Sequence, residues 1–175
     1  MDIPKTLLAA AAIAALTAQT PGSGANSEAS AFAAMIGQGL AAAAQDFSSI
    51  RNTTNTGNQY VGIYGATAPV DATYLANCSV TDETDSSSFE HPSWLYSCTI
   101  ANAGDSSDAR LAQIATGVAP SIPEGFTRTD RSFSGGGGGE LVYWSGPGDT
   151  YVVIQKGPGA GFALSVRHGP GSVDY

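Results

Sequence analysis

The chain has 175 residues, of which 42% are hydrophobic and 13% are charged. This length fits one domain, and the apolar content is that of an ordinary globular protein, which argues against wholesale disorder. Fifteen acidic residues against seven Lys and Arg give a net charge of −8. Nucleic acids and anionic membranes require clustered cations. The seven cations are scattered along the sequence, so we expect neither partner.

The N-terminus carries a short apolar run. Lys5 precedes Leu7–Leu16, a stretch too short to span a membrane but typical of the core of a signal peptide. Small residues favour cleavage after Ala18 or after Ala25. We therefore predict a signal peptide over residues 1–25, a periplasmic or secreted location, and no membrane insertion after its removal. An Ala-rich N-terminal helix of a cytosolic protein is the alternative.

The first element of the remaining chain is a predicted helix from Ser27 to Arg51. Ser27 or Ser30 offers an N-cap, and the polar run Asn52–Asn58 ends the helix. Its apolar residues recur every three or four positions and so share one face. They are Phe32, Ile36, Leu40, Ala43, Phe47 and Ile50.

Three strands are predicted next, over residues 60–64, 73–80 and 93–100. In the last two, Cys78 and Cys98 lie on the same face as the aromatic residues. A hairpin register that places Cys78 opposite Cys98 also pairs Val80 with Tyr96. Two cysteines behind a signal peptide indicate a disulfide, which this register allows. Two buried free thiols are the alternative.

The connection between these two strands, residues 81–92, is long and acidic, and we call it the acidic connection. It carries Asp82, Glu83, Asp85 and Glu90, with Phe89 as its one aromatic residue. Connections of this length in a compact domain are often functional. We therefore predict that it contacts a partner.

The second half of the chain repeats the sequence of a helix followed by strands. A helix is predicted over residues 107–118, then a strand or linker at 128–134, a five-glycine run at 135–139, and three strands at 140–145, 150–156 and 162–167. The resulting order is α-βββ-α-βββ within a single domain of residues 26–170, followed by a frayed tail at 171–175. This order predicts the α+β class: an antiparallel sheet of about five to six strands, with two helices packed on one face and one disulfide.

The element order is similar, at the level of fold alone, to small periplasmic inhibitors of the β-lactamase-inhibitor type and to type III secretion chaperones. No motif residues accompany this resemblance, so it assigns neither family.

Catalytic and metal motifs are absent from the sequence. The two histidines, His91 and His168, lie in predicted loop and tail regions, and no G-x-S-x-G motif exists. The acidic connection lacks the EF-hand spacing, and the cysteines are better used as a disulfide than as zinc ligands. We predict no catalytic residue, no metal and no cofactor.

The predicted function is an exported, non-enzymatic binding module, such as an inhibitor or an envelope interaction protein. Its partner is expected to be a basic protein in the envelope or the extracellular space, and its oligomeric state stays open. The contact residues are drawn from the acidic connection and from aromatics that we expect at the surface. They are Asp82, Glu83, Asp85, Phe89, Glu90, Tyr143, Trp144 and Tyr151. A small secreted hydrolase with carboxylate chemistry and a structural envelope protein are the alternatives.

Overall fold

The structure is a computed structural model, which describes residues 27–58, 60–68, 73–84, 93–101, 107–132, 140–156 and 161–170. The predicted signal peptide, the glycine run and the C-terminal tail lie outside these ranges. No helix within these ranges is long and apolar enough to cross a membrane.

The described elements confirm the α+β class, with two helices and one antiparallel sheet. The predicted strand count was wrong, because the described residues form a sheet of eight strands. The helices are α1 (Glu28–Ala43) and α2 (Asp108–Val118), and a 3-10 turn at Ala119–Ser121 follows α2. The strands are β1 (Arg51–Asn55), β2 (Gly62–Ala66), β3 (Leu75–Asp82), β4 (Trp94–Ile100), β5 (Thr127–Ser132), β6 (Glu140–Gly146), β7 (Thr150–Lys156) and β8 (Phe162–His168).

The sheet consists of two four-stranded meanders joined at their last strands, in the order β1-β2-β3-β4-β8-β7-β6-β5. One helix precedes each meander, so the chain reads α-ββββ-α-ββββ rather than the predicted α-βββ-α-βββ. At the β4–β8 junction Ser97 lies opposite Ser165, whose hydroxyl donates to the Ser97 Oγ at 2.9 Å. The junction therefore makes one continuous sheet of the two halves.

The two strands that the sequence did not establish are the outermost ones. Strand β1 falls in the polar run that ends the predicted first helix, and β5 overlaps the segment 128–134, which the sequence leaves open between strand and linker. Both are edge strands, and most of their described side chains are exposed. Edge strands with polar and charged side chains resist pairing with other chains, but they show no alternation of apolar and polar residues.

Helix α1 ends earlier than the apolar stripe predicts. The N–H of Phe47 donates to the carbonyl of Ala42 and that of Asp46 to the carbonyl of Ala43, both at 3.0 Å. These two bonds form a Schellman motif, in which Asp46 takes the left-handed conformation with φ of 51°. Phe47 follows with φ of 56° and is fully buried, so it joins the core from outside the helix.

Each helix begins at a serine cap, and Ser27 of α1 is one of the two residues that the sequence offered there. The Ser27 hydroxyl accepts from the N–H of Ser30, and the Ser107 hydroxyl accepts from that of Arg110, both at 3.2 Å. Arg110 of α2 also forms an ion pair with Glu28 of α1. The two helices are thereby connected at their N-terminal ends.

The main core lies between the helices and one face of the sheet. Apolar residues of α1 and α2 form one buried cluster with residues of β3, β4, β6, β7 and β8. Helix α1 approaches β8 closely at Gly39. A Cβ atom at this position would lie only 2.6 Å from Cγ2 of Val166, so the absence of a side chain permits the contact. The opposite face carries a smaller cluster of Leu141, Tyr143 and Val153, with Tyr151 packed against it.

The Cys78–Cys98 disulfide is confirmed, and Val80 pairs with Tyr96 as the register predicts. The register shifts by one residue on the other side of the disulfide, where Ala76 lies opposite Thr99. Asn77 takes a φ of 50° there, consistent with a β-bulge, since Asn tolerates the left-handed region better than most residues.

Candidate functional site

A pocket opens at one end of the sheet, where the turn after α1 meets the ends of β4 and β8. We call it the end pocket. Its cavity volume is about 400 Å³, and the chain enters and leaves the acidic connection at its wall. The residues that line it are Asp46, Thr84, Ser93, Trp94, His168, Gly169 and Pro170.

An indole and an imidazole stand side by side in the end pocket. Trp94 of β4 lies directly opposite His168 of β8, so their side chains share one face of the sheet. Both are half-buried. Nδ1 of His168 lies 3.1 Å from the Thr150 hydroxyl on β7, which fixes the ring's orientation.

A buried polar cluster adjoins the pocket, and we call it the closed cluster. Ser93 is fully buried, donates to Glu83 at 2.9 Å and accepts from Nε of Arg167 at 3.0 Å. A second nitrogen of Arg167 lies 3.5 Å from the same Glu83 oxygen, and the two charged side chains are 6% and 13% exposed. The charges satisfy each other, as buried charges must.

The end pocket contains a serine, a histidine and an aspartate, but they do not form a catalytic triad. Such a triad needs a hydrogen bond from the serine hydroxyl to the imidazole. The Ser93 hydroxyl is instead held between Glu83 and Arg167, and Nδ1 of His168 contacts Thr150.

Arg51 lies over the aromatic rings of Trp94 and Tyr64. Its guanidinium carbon lies 4.3 Å from the centre of the Trp94 ring and 4.6 Å from that of Tyr64. One guanidinium nitrogen, Nη1, is buried and has no hydrogen-bond partner among the described residues. The aromatic faces supply the compensating attraction, because a cation is drawn to the negative face of a π system.

A second cavity of about 260 Å³ lies between α2 and the strands β5 and β6. Two carboxylates line it, those of Asp108 and Asp130. Lys156 lies 3.1 Å from Asp108, and Arg128 lies 2.8 Å from Asp130. Both carboxylates are therefore engaged by cations.

The sequence-predicted residues of the acidic connection separate into three groups. Asp82 accepts the N–H of Thr84 at 3.0 Å and its hydroxyl at 2.6 Å, and so stabilises the turn that leaves β3. Glu83 belongs to the closed cluster. Asp85, Phe89 and Glu90 lie outside the described residues.

The predicted surface aromatics are mostly interior. Trp144 is 4% exposed and belongs to the main core, and Tyr143 is 7% exposed on the opposite face. Tyr151 is half-buried and meets Tyr143 edge to face, with 6.4 Å between ring centres. Trp144 and Tyr143 thus pack on opposite faces, as adjacent residues of a strand must, and neither offers an exposed aromatic surface.

None of the residues that line the end pocket is among the predicted contact residues. Asp46 falls inside the predicted helix, and its signal in the sequence is weak: an acidic residue two positions after an alanine run, just before a phenylalanine on the apolar stripe. His168 was assigned to the tail, whereas the structure places it as the last residue of β8.

No group of three or more His, Cys, Asp or Glu side chains with the geometry of a metal site occurs among the described residues. Comparisons with protein-family models, with curated proteins and with solved structures found no match for the chain. The fold-level similarity drawn from the element order therefore gains no support from them.

Proposed function

We propose that the protein is an exported, non-enzymatic binding module and that the end pocket is the centre of its ligand site. One observation carries the proposal. A carboxylate, an imidazole and an indole converge on one cavity of about 400 Å³, while the one serine hydroxyl on its wall is held in the closed cluster. A cavity with a few convergent polar groups is the usual form of a small binding site.

The location of the pocket extends the proposal to the acidic connection. Thr84, within the connection, and Ser93, directly after it, both line the pocket. Asp85, Phe89 and Glu90 follow Thr84 within six positions of the sequence. We propose that they extend the contact surface toward a basic partner, since acidic residues near a site speed the approach of a cationic partner.

The disulfide is compatible with an oxidising, extracytoplasmic environment, in which such bonds persist. It supports the proposal that the protein is exported.

A small secreted hydrolase is the second candidate, and the cavity lined by Asp108 and Asp130 favours it. Glycoside hydrolysis by two carboxylates needs one of them protonated as the general acid. Asp108 and Asp130 are instead each engaged in an ion pair, with Lys156 and Arg128 respectively. This observation ranks the hydrolase below the binding module.

The test is to isolate the partner and then map its contact. The exported protein would be crosslinked to its partner in the envelope fraction, and the purified pair would be studied by NMR. The Trp94 indole signal should shift on binding, while that of the buried Trp144 serves as an internal reference. His168→Gln, which retains a hydrogen-bonding group toward Thr150, should weaken binding by about 10-fold.

Tyr60→Ala is the matched control, because Tyr60 is an exposed aromatic residue in the β1–β2 connection and does not line the pocket. It should leave the affinity unchanged. A partner that shifts neither Trp94 nor its neighbours, and whose affinity is insensitive to His168→Gln, would contradict the proposal. Hydrolysis that is abolished by Asp130→Asn would instead support the second candidate.

A further inference from the structure

Asp46 has a left-handed backbone conformation in which glycine is the usual residue. It is the left-handed residue of the Schellman motif, with φ of 51°, and glycine is usual there because it has no Cβ atom. The chain contains 22 glycines, so the residue is abundant in this sequence. An aspartate at this position is tolerated but is not the stable choice.

The electrostatic environment also disfavours a carboxylate at this position. The C-terminal end of a helix carries a partial negative charge, which cations stabilise and anions destabilise. The last turn of α1 contains no basic residue. Asp46 therefore adds a negative charge to an end that the helix itself does not neutralise.

Within the described residues, no side chain satisfies the Asp46 carboxylate, which is exposed and forms neither a hydrogen bond nor an ion pair there. Arg51 is five positions along the chain, but its guanidinium lies over Trp94 and Tyr64 instead. Local rules that a sequence breaks without an internal compensation are often broken for function. The compensation we look for is a ligand with a positive charge.

We infer that the end pocket binds an arginine side chain of a partner protein and that Asp46 is its anionic contact. This inference rests on the proposed function and adds the chemistry of the ligand. A carboxylate binds a guanidinium through two parallel hydrogen bonds, which makes arginine the best match for Asp46. The planar guanidinium also packs well on aromatic rings. Arg51 already occupies one face of the Trp94 ring, so a ligand guanidinium would pack on the other face.

The end of α1 strengthens the same preference. Its partial negative charge adds to that of Asp46, and a bound cation would satisfy both. His168 completes the wall as a hydrogen-bonding group whose orientation is set by Thr150. The buried Arg167 does not oppose the ligand, because its charge is engaged by Glu83 in the closed cluster.

The experiment uses the full chain and three probes. The first is the tripeptide acetyl-Gly-Arg-Gly-amide, the second is the same peptide with citrulline, and the third is methylguanidinium. Citrulline has the shape of arginine without the charge. The arginine peptide should shift the Trp94 indole signal and the amide signals of Asp46 and His168, and it should bind at least about 10-fold more tightly than the citrulline peptide.

Two variants separate the role of Asp46 from the net charge of the protein. Asp46→Asn should weaken the arginine peptide by about 10-fold and leave the citrulline peptide unchanged. Asp130→Asn removes the same charge from the edge strand β5 and should change neither affinity. Thermal melts of both variants would establish that they are folded.

The outcomes distinguish the inference from the proposed function. Equal affinities for the arginine and citrulline peptides, or no effect of Asp46→Asn, would overturn the cationic ligand but leave the pocket as a partner-binding site. A methylguanidinium affinity equal to that of the tripeptide would assign the pocket to a free organic cation and overturn the protein partner. The proposed function fails under a different result: a purified partner that binds the protein without shifting the NMR signals of the pocket residues.

Discussion

The closed cluster and the end pocket lie at the same end of the sheet, but they differ in whether their charges are paired. In the closed cluster, Glu83 and Arg167 are buried with Ser93 and bind one another. In the end pocket, the Asp46 carboxylate is exposed and unpaired within the described part of the chain. Ser93 belongs to both, since it also lines the pocket.

This difference separates structural charge from charge that is available to a ligand. A buried ion pair that loses one partner leaves a charge in a poorly solvated place, so the closed cluster is expected to serve stability. An exposed carboxylate at an unfavourable backbone position contributes nothing of that kind. This end of the sheet therefore contains one polar cluster whose disruption should destabilise the protein and one carboxylate whose removal should stabilise it.

The largest effect is expected from breaking the closed cluster. Glu83→Ala leaves the buried Arg167 guanidinium without its carboxylate and should lower the free energy of unfolding by about 3 to 5 kcal/mol. The exposed pair of Arg128 and Asp130 provides the control, because Asp130→Ala should lower it by less than about 1 kcal/mol. Urea unfolding measures both. Equal losses for the two variants would mean that the cluster is not a buried charge pair in solution.

The disulfide should come next, since it ties together the two strands that flank the acidic connection. Replacing Cys78 and Cys98 together by alanine should lower the free energy of unfolding by about 3 kcal/mol, through the added freedom of the unfolded chain. Mass spectrometry of the unreduced, alkylated protein should find no modified thiol. Two alkylated cysteines in the native protein would refute the bond.

Tyr96 tests the attachment of α1 to the sheet at alkaline pH. Its hydroxyl donates to Oε1 of Gln38 in α1 at 3.0 Å, and burial raises the pKa of Tyr96 from 10.0 to about 12. The folded state thus holds this proton more tightly than the unfolded state does. The resulting stability is fully present below pH 10 and is lost as the pH rises toward about 12.

Tyr96→Phe removes this titration together with the hydrogen bond. It should lower the free energy of unfolding by about 1 kcal/mol at neutral pH. The variant should also lose less stability than the parent protein between pH 10 and about 12. Denaturant titrations at several pH values measure both effects. Parallel pH profiles for the two proteins would show that Tyr96 does not titrate differently on folding.

The smallest effect is expected at Asp46 and has the opposite sign. Asp46→Gly relieves the left-handed backbone and removes a negative charge from the end of α1. It should therefore raise the free energy of unfolding by about 0.5 to 1 kcal/mol. Asp149→Gly is the matched control, because Asp149 has a φ of 52° but does not end a helix. A loss of stability in Asp46→Gly would mean that the carboxylate serves the fold.

The sequence by itself determined the elements whose signals are local. Apolar residues three and four positions apart marked the inner faces of α1 and α2, and Ser27 and Ser30 were the two candidates for the start of α1. The alternation of side chains over residues 73–80 and 93–100 indicated that the two cysteines lie on the same face and predicted the Val80–Tyr96 pairing. Glycine- and proline-rich turns marked the strands of the second meander.

The tertiary structure decided what depends on contacts between distant residues. The edge strands β1 and β5 form because β2 and β6 provide their hydrogen-bonding partners. Their own sequences show no alternation of apolar and polar residues that would predict a strand. Phe47 fits the helical stripe equally well whether α1 continues or turns, and only its packing in the core selects the turn. That turn places Asp46 beside Trp94 and His168, 48 and 122 positions further along the chain. The end pocket is thus a product of folding, since its residues share no local pattern by which a sequence could reveal them.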